Sequence, residues 1–249
     1  DEALRNIVAT GGSIRKTAIL DNFCWANTDD KEMLGTLVMA AKACKDIAIA
    51  YGTPFISGKD SLHNEVVVGN RKIPILDTLL ISAISIIDDI DKIVTMDIKK
   101  EGNALYLIGE TKDEMGGSHY NELIGAGPDE GNVPVIDAGK SVKIFAAVEE
   151  AINKKTVIAC HDISEGGMAV ALAEMCLAGG IGAEVSVEGA EDETLFSESQ
   201  TRFIAEVAAG KEGEFEAIMR KNGSAYGKIG KTKTKGRKLT INGSNGRIV

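Results

Sequence analysis

The sequence predicts a two-domain protein of mixed α+β and α/β class, and three observations carry that reading. A helical period of apolar residues runs from Met33 to Tyr51 between two short apolar runs. From Ala104 onward short apolar runs alternate with helical periods, the pattern of an α/β layer. Between them the acidic stretch Asp88–Asp97 and a Lys-Lys-Glu-Gly run read as a linker, which places a boundary near residue 95. The expected domains are therefore residues 1–95 and 96–249, a division that suits a chain of 249 residues.

In chain order, Glu2–Thr10 is a short helix closed by Gly11 and Gly12. Ile14–Leu20 is a strand that delivers Asp21 and Asn22 to its exit. Thr28 offers an N-cap oxygen, with Asp29, Asp30 and Glu32 favourable at the helix dipole. Met33, Leu37, Ala40, Ala41, Cys44, Ile47, Ala48 and Tyr51 then define a helix over Lys31–Tyr51, stopped by Gly52 and Pro54. Val66–Val68 and Leu79–Ile87 are strands. The second is almost wholly apolar, which predicts a central strand buried on both faces. Gly69 and Asn70 mark a hairpin turn. The second domain reads as strands at 104–108, 156–160, 182–187, 202–207 and 225–229, with helices at 141–153, 166–178 and 212–221. Lys231–Val249 reads as a weak terminal hairpin.

Composition narrows the function classes. A net charge of −9 argues against nonspecific nucleic-acid binding, which needs a basic face. No apolar run reaches the roughly 18–20 residues needed to span a bilayer. The four cysteines show no CxxC spacing and read as free thiols of the reducing cytoplasm.

The chemistry concentrates in Pro54–Glu65, PFISGKDSLHNE. A short apolar run leads into a sharp turn at Ser57 and Gly58, followed by Lys59, Asp60, Ser61 and His63. Glycine at a strand exit lets backbone N–H groups approach an anion, lysine supplies charge, and aspartate holds a divalent metal through hard oxygen. The same residues also make an ordinary polar turn. A P-loop is excluded: five residues separate Gly52 from Gly58, and Asp60 stands where the Walker pattern needs Ser or Thr. Further on, His161 and Asp162 end a strand, and Ser164, Glu165, Gly166 and Gly167 lead into a helix. That arrangement is either a second anion site or a capped helix start. Three histidines without a third ligand in sequence argue against zinc, and His63 and His119 read as solvated or hydrogen-bonded. Cys24 and Trp25 read as packing residues.

DNFCWAN (Asp21–Asn27), the long helix, PFISGKDSLHNE, HDISEGGMAVALAEM (His161–Met175) and LFSESQTRFIAEV (Leu195–Val207) together resemble the second half of the phosphoribosylformylglycinamidine synthase family, in the family's order. The resemblance implies the two-domain architecture of the aminoimidazole ribonucleotide synthetase superfamily: a sheet-forming N-terminal domain that pairs with a twin, and an α/β C-terminal domain. It implies ATP and Mg2+ as cofactors, formylglycinamide ribonucleotide as substrate, and ammonia supplied by a glutaminase domain or subunit. In one branch the aspartate of the DN-CW motif and the glycine of a GNVS motif bind ATP, the next asparagine binds magnesium, and the serine touches substrate. By motif position Asp21 and Gly58 inherit the ATP roles and Ser61 the substrate role. Lys59 replaces the asparagine. An ammonium cannot ligate magnesium at neutral pH, so the metal role passes to Asp60 and Lys59 is set against the ATP phosphates.

The family's catalytic histidine lies in the first half, so no catalytic residue is expected here. The chain opens at Asp1 inside a helix, which reads with the resemblance as a piece of a longer polypeptide, inactive by itself. Its twin is the missing first half or a second copy in a homodimer. Two other readings stand beside this one: a nucleotide-binding structural half without turnover, and another ATP-dependent member of the superfamily such as a thiamine monophosphate kinase.

Overall fold

Strand β1, Thr17–Cys24, is the middle of a three-stranded sheet, flanked by β2 (Phe55–Ser61) and β5 (Thr78–Ser85) in the computed structural model. It pairs parallel with β2 and antiparallel with β5. A parallel pair needs a crossover, and helix α2, Lys31–Tyr51, supplies it. The bounds of α2 are those its apolar period predicts, but the N-cap is Asp30 rather than Thr28. Asp30 Oδ1 accepts from the N–H groups of Glu32 and Met33 at 2.8 and 3.4 Å. Gly52, in the left-handed region at φ 70°, closes the helix. Strands β3 (Glu65–Val68) and β4 (Arg71–Pro74) form a separate two-stranded hairpin turning at Gly69, where a turn is predicted.

The described residues are 1–127, 130–189, 191–233, 238–244 and 246–247. They divide into two units: Ile14–Ile86, and Asp1–Ser13 with Ile87–Val249. The division thus falls at 86/87 rather than near 95, and the first residues group with the larger unit. Helix α1, Glu2–Ala9, explains the grouping, because it packs on strand β7 (Val157–Asp162) and helix α4 (Ala138–Asn153).

Three sequence expectations fail in the smaller unit. Ser57 and Gly58 do not turn, since β2 runs unbroken to Ser61. Asp21 and Asn22 likewise sit inside β1, not at its exit. Nor is β5 central. It is an edge strand with alternating burial, and Leu80 and Ile84 are 58% and 59% exposed on the face away from α2. The apolar run is real, but only one of its two faces is covered within this unit.

The larger unit is built on a seven-stranded sheet. Its order is β12-β11-β8-β10-β6-β9-β7, with β6 Ala104–Ile108, β8 Gly182–Ser186, β9 Phe203–Val207, β10 Tyr226–Lys233, β11 Leu239–Gly243 and β12 Gly246–Arg247. All pairings are antiparallel except β11 with β8, which is parallel. Helix α5, Gly167–Gly179, packs Met168, Leu172 and Met175 against Leu105, Val185 and Ile204 on one face. On the other face Phe203 meets Phe145 of α4, and the Tyr106 ring lies tilted 4.6 Å from that of Phe215 of helix α7 (Glu212–Asn222). Helices α3 (His119–Ile124) and α6 (Glu191–Phe196) complete the unit. Part of the terminal stretch read as a hairpin lies outside the described residues.

The run LFSESQTR forms a buried polar hub. Arg202, with no exposed surface, donates to the carbonyls of Ser199 (3.0 Å) and Ser197 and to Thr111 Oγ1 (2.9 Å). Burial, with Arg5 nearby, pushes this guanidinium down to about 10, against the pull of Glu114 and Glu198. Arg5, equally buried, pairs with Asp1 at 2.9 Å, reaches Gln200 Oε1 at 2.9 Å and donates to the Ile163 carbonyl. Saturating a buried charge with carbonyls is what makes it tolerable.

Gly167 is the point where helix α5 meets this hub. It sits at φ +66°, and a Cβ there would come within 2.6 Å of the Leu195 carbonyl and 2.8 Å of Phe196 Cα. Gly167→Ala is expected to lower stability by about 2 kcal/mol or more, from backbone strain plus overpacking, read as a shifted denaturant midpoint. An unchanged midpoint would mean that the α6 segment yields freely.

Candidate functional site

Strands β1 and β2 bring the predicted residues side by side. Asp21 pairs with Gly58, Asn22 with Lys59, Phe23 with Asp60 and Cys24 with Ser61. Side chains alternate across a strand, so this register sorts them by face. Asp21, Gly58 and Asp60 lie on the face toward α2. The α2 thiol of Cys44 is raised there by its burial and by the Asp21 carboxylate. Asn22, Lys59 and Ser61 lie on the opposite face, where Lys59 Nζ donates to Ser61 Oγ. The set predicted from sequence is therefore together in the sheet but split between two faces.

Gly58 is required by Asp21 itself. A Cβ at position 58 would come within 2.2 Å of Asp21 Oδ1 and 2.7 Å of its Cγ. The missing side chain is the notch in which the carboxylate sits, and extended backbone rather than a turn carries it. Gly58, Lys59 and Asp60 are exposed, while Asp21 and Ser61 are half-buried.

Beyond the strands the two exits are stitched together. Trp25 N donates to Ser61 O at 2.8 Å, His63 N to Ala26 O at 3.1 Å, and Asn64 N to Trp25 O at 3.0 Å. The real turn is here, with His63 at φ 59° and its ring 3.5 Å from Asp29. Trp25 is buried, lies 5.5 Å from Phe23 and donates Nε1–H to Thr36 at 2.9 Å, so the Cys-Trp pair is packing.

Asp21 and Asp60 are diagonal neighbours on the α2 face. Two carboxylates with open solvent beside them fit a magnesium ion, which commonly takes one or two carboxylates and fills its remaining positions with water and phosphate. Among the described residues no group of three or more His, Cys, Asp or Glu is disposed for a metal, so an all-protein cage is not present there.

The second expected anion site, at His161, Asp162, Gly166 and Gly167, is not open. The Gly166 N–H already donates to Glu198 Oε1 at 2.9 Å, and the Gly167 N–H to Ser164 O at 3.1 Å. The same Glu198 oxygen accepts from His119 N at 3.1 Å. His161 spans two carboxylates, with Nε2 2.9 Å from Glu174 and Nδ1 3.2 Å from Asp162. An incoming anion would face three carboxylates. Glu198, quoted in the sequence motif but given no role, is the residue that closes this site. Its signal was an acidic residue inside a Ser-rich run leading to a buried arginine.

Comparisons with known proteins bear on the family and the fold. Residues 100–242 match the family described as AIR synthase related protein, C-terminal domain. The chain is 38% identical over 225 residues to phosphoribosylformylglycinamidine synthase subunit PurL of Rhodopseudomonas palustris, covering 88% of this chain and 29% of that protein. The corresponding subunit of Methanocaldococcus jannaschii is 35% identical over 244 residues, covering 94% and 32%. The chain thus spans about 30% of the length of these curated relatives. Among solved structures, Thermotoga maritima PurL complexed with FGAR superposes with a TM-score of 0.72 at 17% identity, over 99% of this chain and 40% of that one. Hydrogenase maturation protein HypE in complex with ATP superposes with 0.68 at 15% identity, over 98% and 75%. At those identities the likeness shows the fold.

The His161 clamp has a pH signature. Burial works against the imidazolium, yet the hydrogen bonds to Asp162 and Glu174 outweigh it and raise the pKa. A raised folded-state pKa contributes stability that is complete below the unfolded value of about 6.5 and is lost as pH climbs through the folded one. The stability difference between wild type and His161→Gln is therefore expected to be larger at pH 5.5 than at pH 8.5, by denaturant titration. Equal differences at both would show that the clamp does not depend on charge.

Proposed function

Because the chain belongs to the AIR synthase related protein family, matched through its C-terminal domain, we propose that it is part of a phosphoribosylformylglycinamidine synthase. That enzyme is an ATP-dependent carbon–nitrogen ligase of purine biosynthesis. It converts formylglycinamide ribonucleotide and ammonia into the amidine. The observation that carries the site reading is the register of β1 and β2, which seats the Asp21 carboxylate in the Gly58 notch. The PurL relatives support the assignment of the reaction.

In this reading ATP phosphorylates the formyl amide oxygen of the substrate. Ammonia then adds to the activated carbon and phosphate leaves, so the amide oxygen departs on phosphate and nitrogen takes its place. Asp21 and Gly58 form the nucleotide side. Asp60, beside Asp21 on the same face, holds the magnesium, which screens the triphosphate charge when bound. Ser61, on the other face, contacts the ribonucleotide. This chain supplies positioning and electrostatics, and the proton-transferring histidine is assigned to the remainder of the enzyme.

The partners follow from the same reading. The uncovered sheet face with Leu80 and Ile84 is the surface for a twin domain, either the enzyme's first half or a second copy, because exposed apolar patches mark association. A glutaminase domain or subunit delivers the ammonia. We place the protein in the cytoplasm. All four cysteines are free, and among the described residues no helix is long and apolar enough to cross a membrane.

Gly58→Ala in the intact enzyme is expected to displace the Asp21 carboxylate and raise the KM for ATP about tenfold, equivalent to about 1.4 kcal/mol, with the fold retained by circular dichroism. Unchanged ATP affinity would remove the Asp21–Gly58 pair from the nucleotide site. Asp60→Asn is expected to raise the magnesium concentration needed for half-maximal rate. If it instead shifts only the ribonucleotide KM, the metal lies elsewhere.

A further inference from the structure

We propose that Lys59 belongs to the substrate side of the site, where its ammonium and the Ser61 hydroxyl take the phosphate monoester of the ribonucleotide. This departs from the family-derived placement of Lys59 against the ATP phosphates. It rests on the reading of Ser61 as a substrate contact given above.

The sheet segregates charge by face. On the α2 face the three strands carry two carboxylates, Asp21 and Asp60, and no cation. On the opposite face Lys59 is the one charged residue of those strands. A bare phosphate approaching Asp21 and Asp60 is repelled, and a divalent ion must stand between. That is the environment of a metal-complexed triphosphate. A phosphate approaching the other face meets an ammonium, a hydroxyl and the Asn22 amide, with no carboxylate to oppose it. Anion recognition without metal needs this combination.

Geometry agrees with charge. Lys59 and Ser61 are two residues apart on one extended strand, so their side chains leave the backbone in the same direction. Lys59 Nζ donates to Ser61 Oγ, which brings both groups to one point. An ammonium has three donors, and this bond uses one. Asn22 lies directly opposite Lys59, and its Oδ1 accepts from Cys24 Sγ at 3.7 Å, so the other end of that amide is an N–H donor. Asp21, by contrast, is held on the far side of the sheet by the Gly58 notch. Lys59 is exposed on the edge strand β2, whereas Leu80 lies across Asn22 on the same face, so the phosphate enters at the β2 border of the surface given above to a twin domain.

The test is steady-state kinetics on the intact enzyme with Lys59→Met, Lys59→Arg and Ser61→Ala. The substrates are ATP, magnesium, the ribonucleotide and its dephosphorylated nucleoside. Lys59→Met is expected to raise the ribonucleotide KM about tenfold or more, the loss expected for one charge-assisted hydrogen bond. It should leave the KM for ATP and the magnesium dependence within about twofold, well below that tenfold step. The preference for ribonucleotide over nucleoside should collapse, and Lys59→Arg should restore most of it. A raised KM for ATP or a shifted magnesium requirement, with the ribonucleotide KM unchanged, would overturn the proposal. If Ser61→Ala raises the ribonucleotide KM while Lys59→Met alters none of the three ligands, the proposal fails and the site reading survives. If neither variant alters any ligand, the site reading itself fails, and this proposal with it.

Discussion

The parallel pairing of β1 with β2 is the constraint on which the candidate site depends. Neither strand could be joined to the other by a tight turn, so a helix had to intervene, and α2 fills that role from cap to cap. Once the two strands lie in register, every site residue has a face and a neighbour. Asp21 gains the Gly58 notch, Asp60 gains a second carboxylate nearby, and Lys59 converges on Ser61. The loops beyond the strands hold that register through three backbone hydrogen bonds from Trp25, His63 and Asn64.

The larger unit solves a different problem with the same economy. Its polar motifs are mostly internal. Arg202 is held by two carbonyls and the Thr111 hydroxyl, Arg5 by the Asp1 carboxylate, Gln200 and the Ile163 carbonyl, and Glu198 caps two separate backbone segments at once. Gly167 serves close approach to the Leu195–Phe196 backbone, and Gly166, at φ +76°, backs onto Val170. A strand followed by a Gly-rich turn and a helix is an anion site only when its N–H groups are vacant, and here a side chain from the neighbouring motif takes one.

The long helix, the hairpin at Gly69 and the alternating second domain were legible in the sequence because each has a strong local signature. The apolar period of α2 and its Gly52 stop fixed both ends. What was not legible depends on partners distant in sequence. The all-apolar run of β5 reads as doubly buried, because periodicity cannot tell a face covered by the same unit from one left open. Ser57-Gly58 reads as a turn, because glycine is the usual punctuator. Nothing local reveals that Asp21, 37 positions earlier, needs the space. The sequence likewise placed Lys59 beside Asp21 and Gly58 by adjacency in the motif, whereas strand alternation puts it on the other side of the sheet. Arg202 and Glu198 were within quoted motifs, but their roles emerge only when segments more than thirty residues apart meet.

The Gly58 notch also acts as a register lock. Strand pairings can slip by one residue, and a slip exchanges every side chain between the two faces. For β2 such a slip would bring Asp60 to the face of Asn22 and Lys59 to the face toward α2, which inverts the electrostatics of both. Moving β2 by one position would set Ser57 or Lys59 opposite Asp21, and either brings a Cβ into the space that the carboxylate occupies. Fidelity of pairing is thus enforced by a steric check built from Asp21 and Gly58, the two residues proposed for the nucleotide side. Correct assembly of the strand and competence of the site are one event.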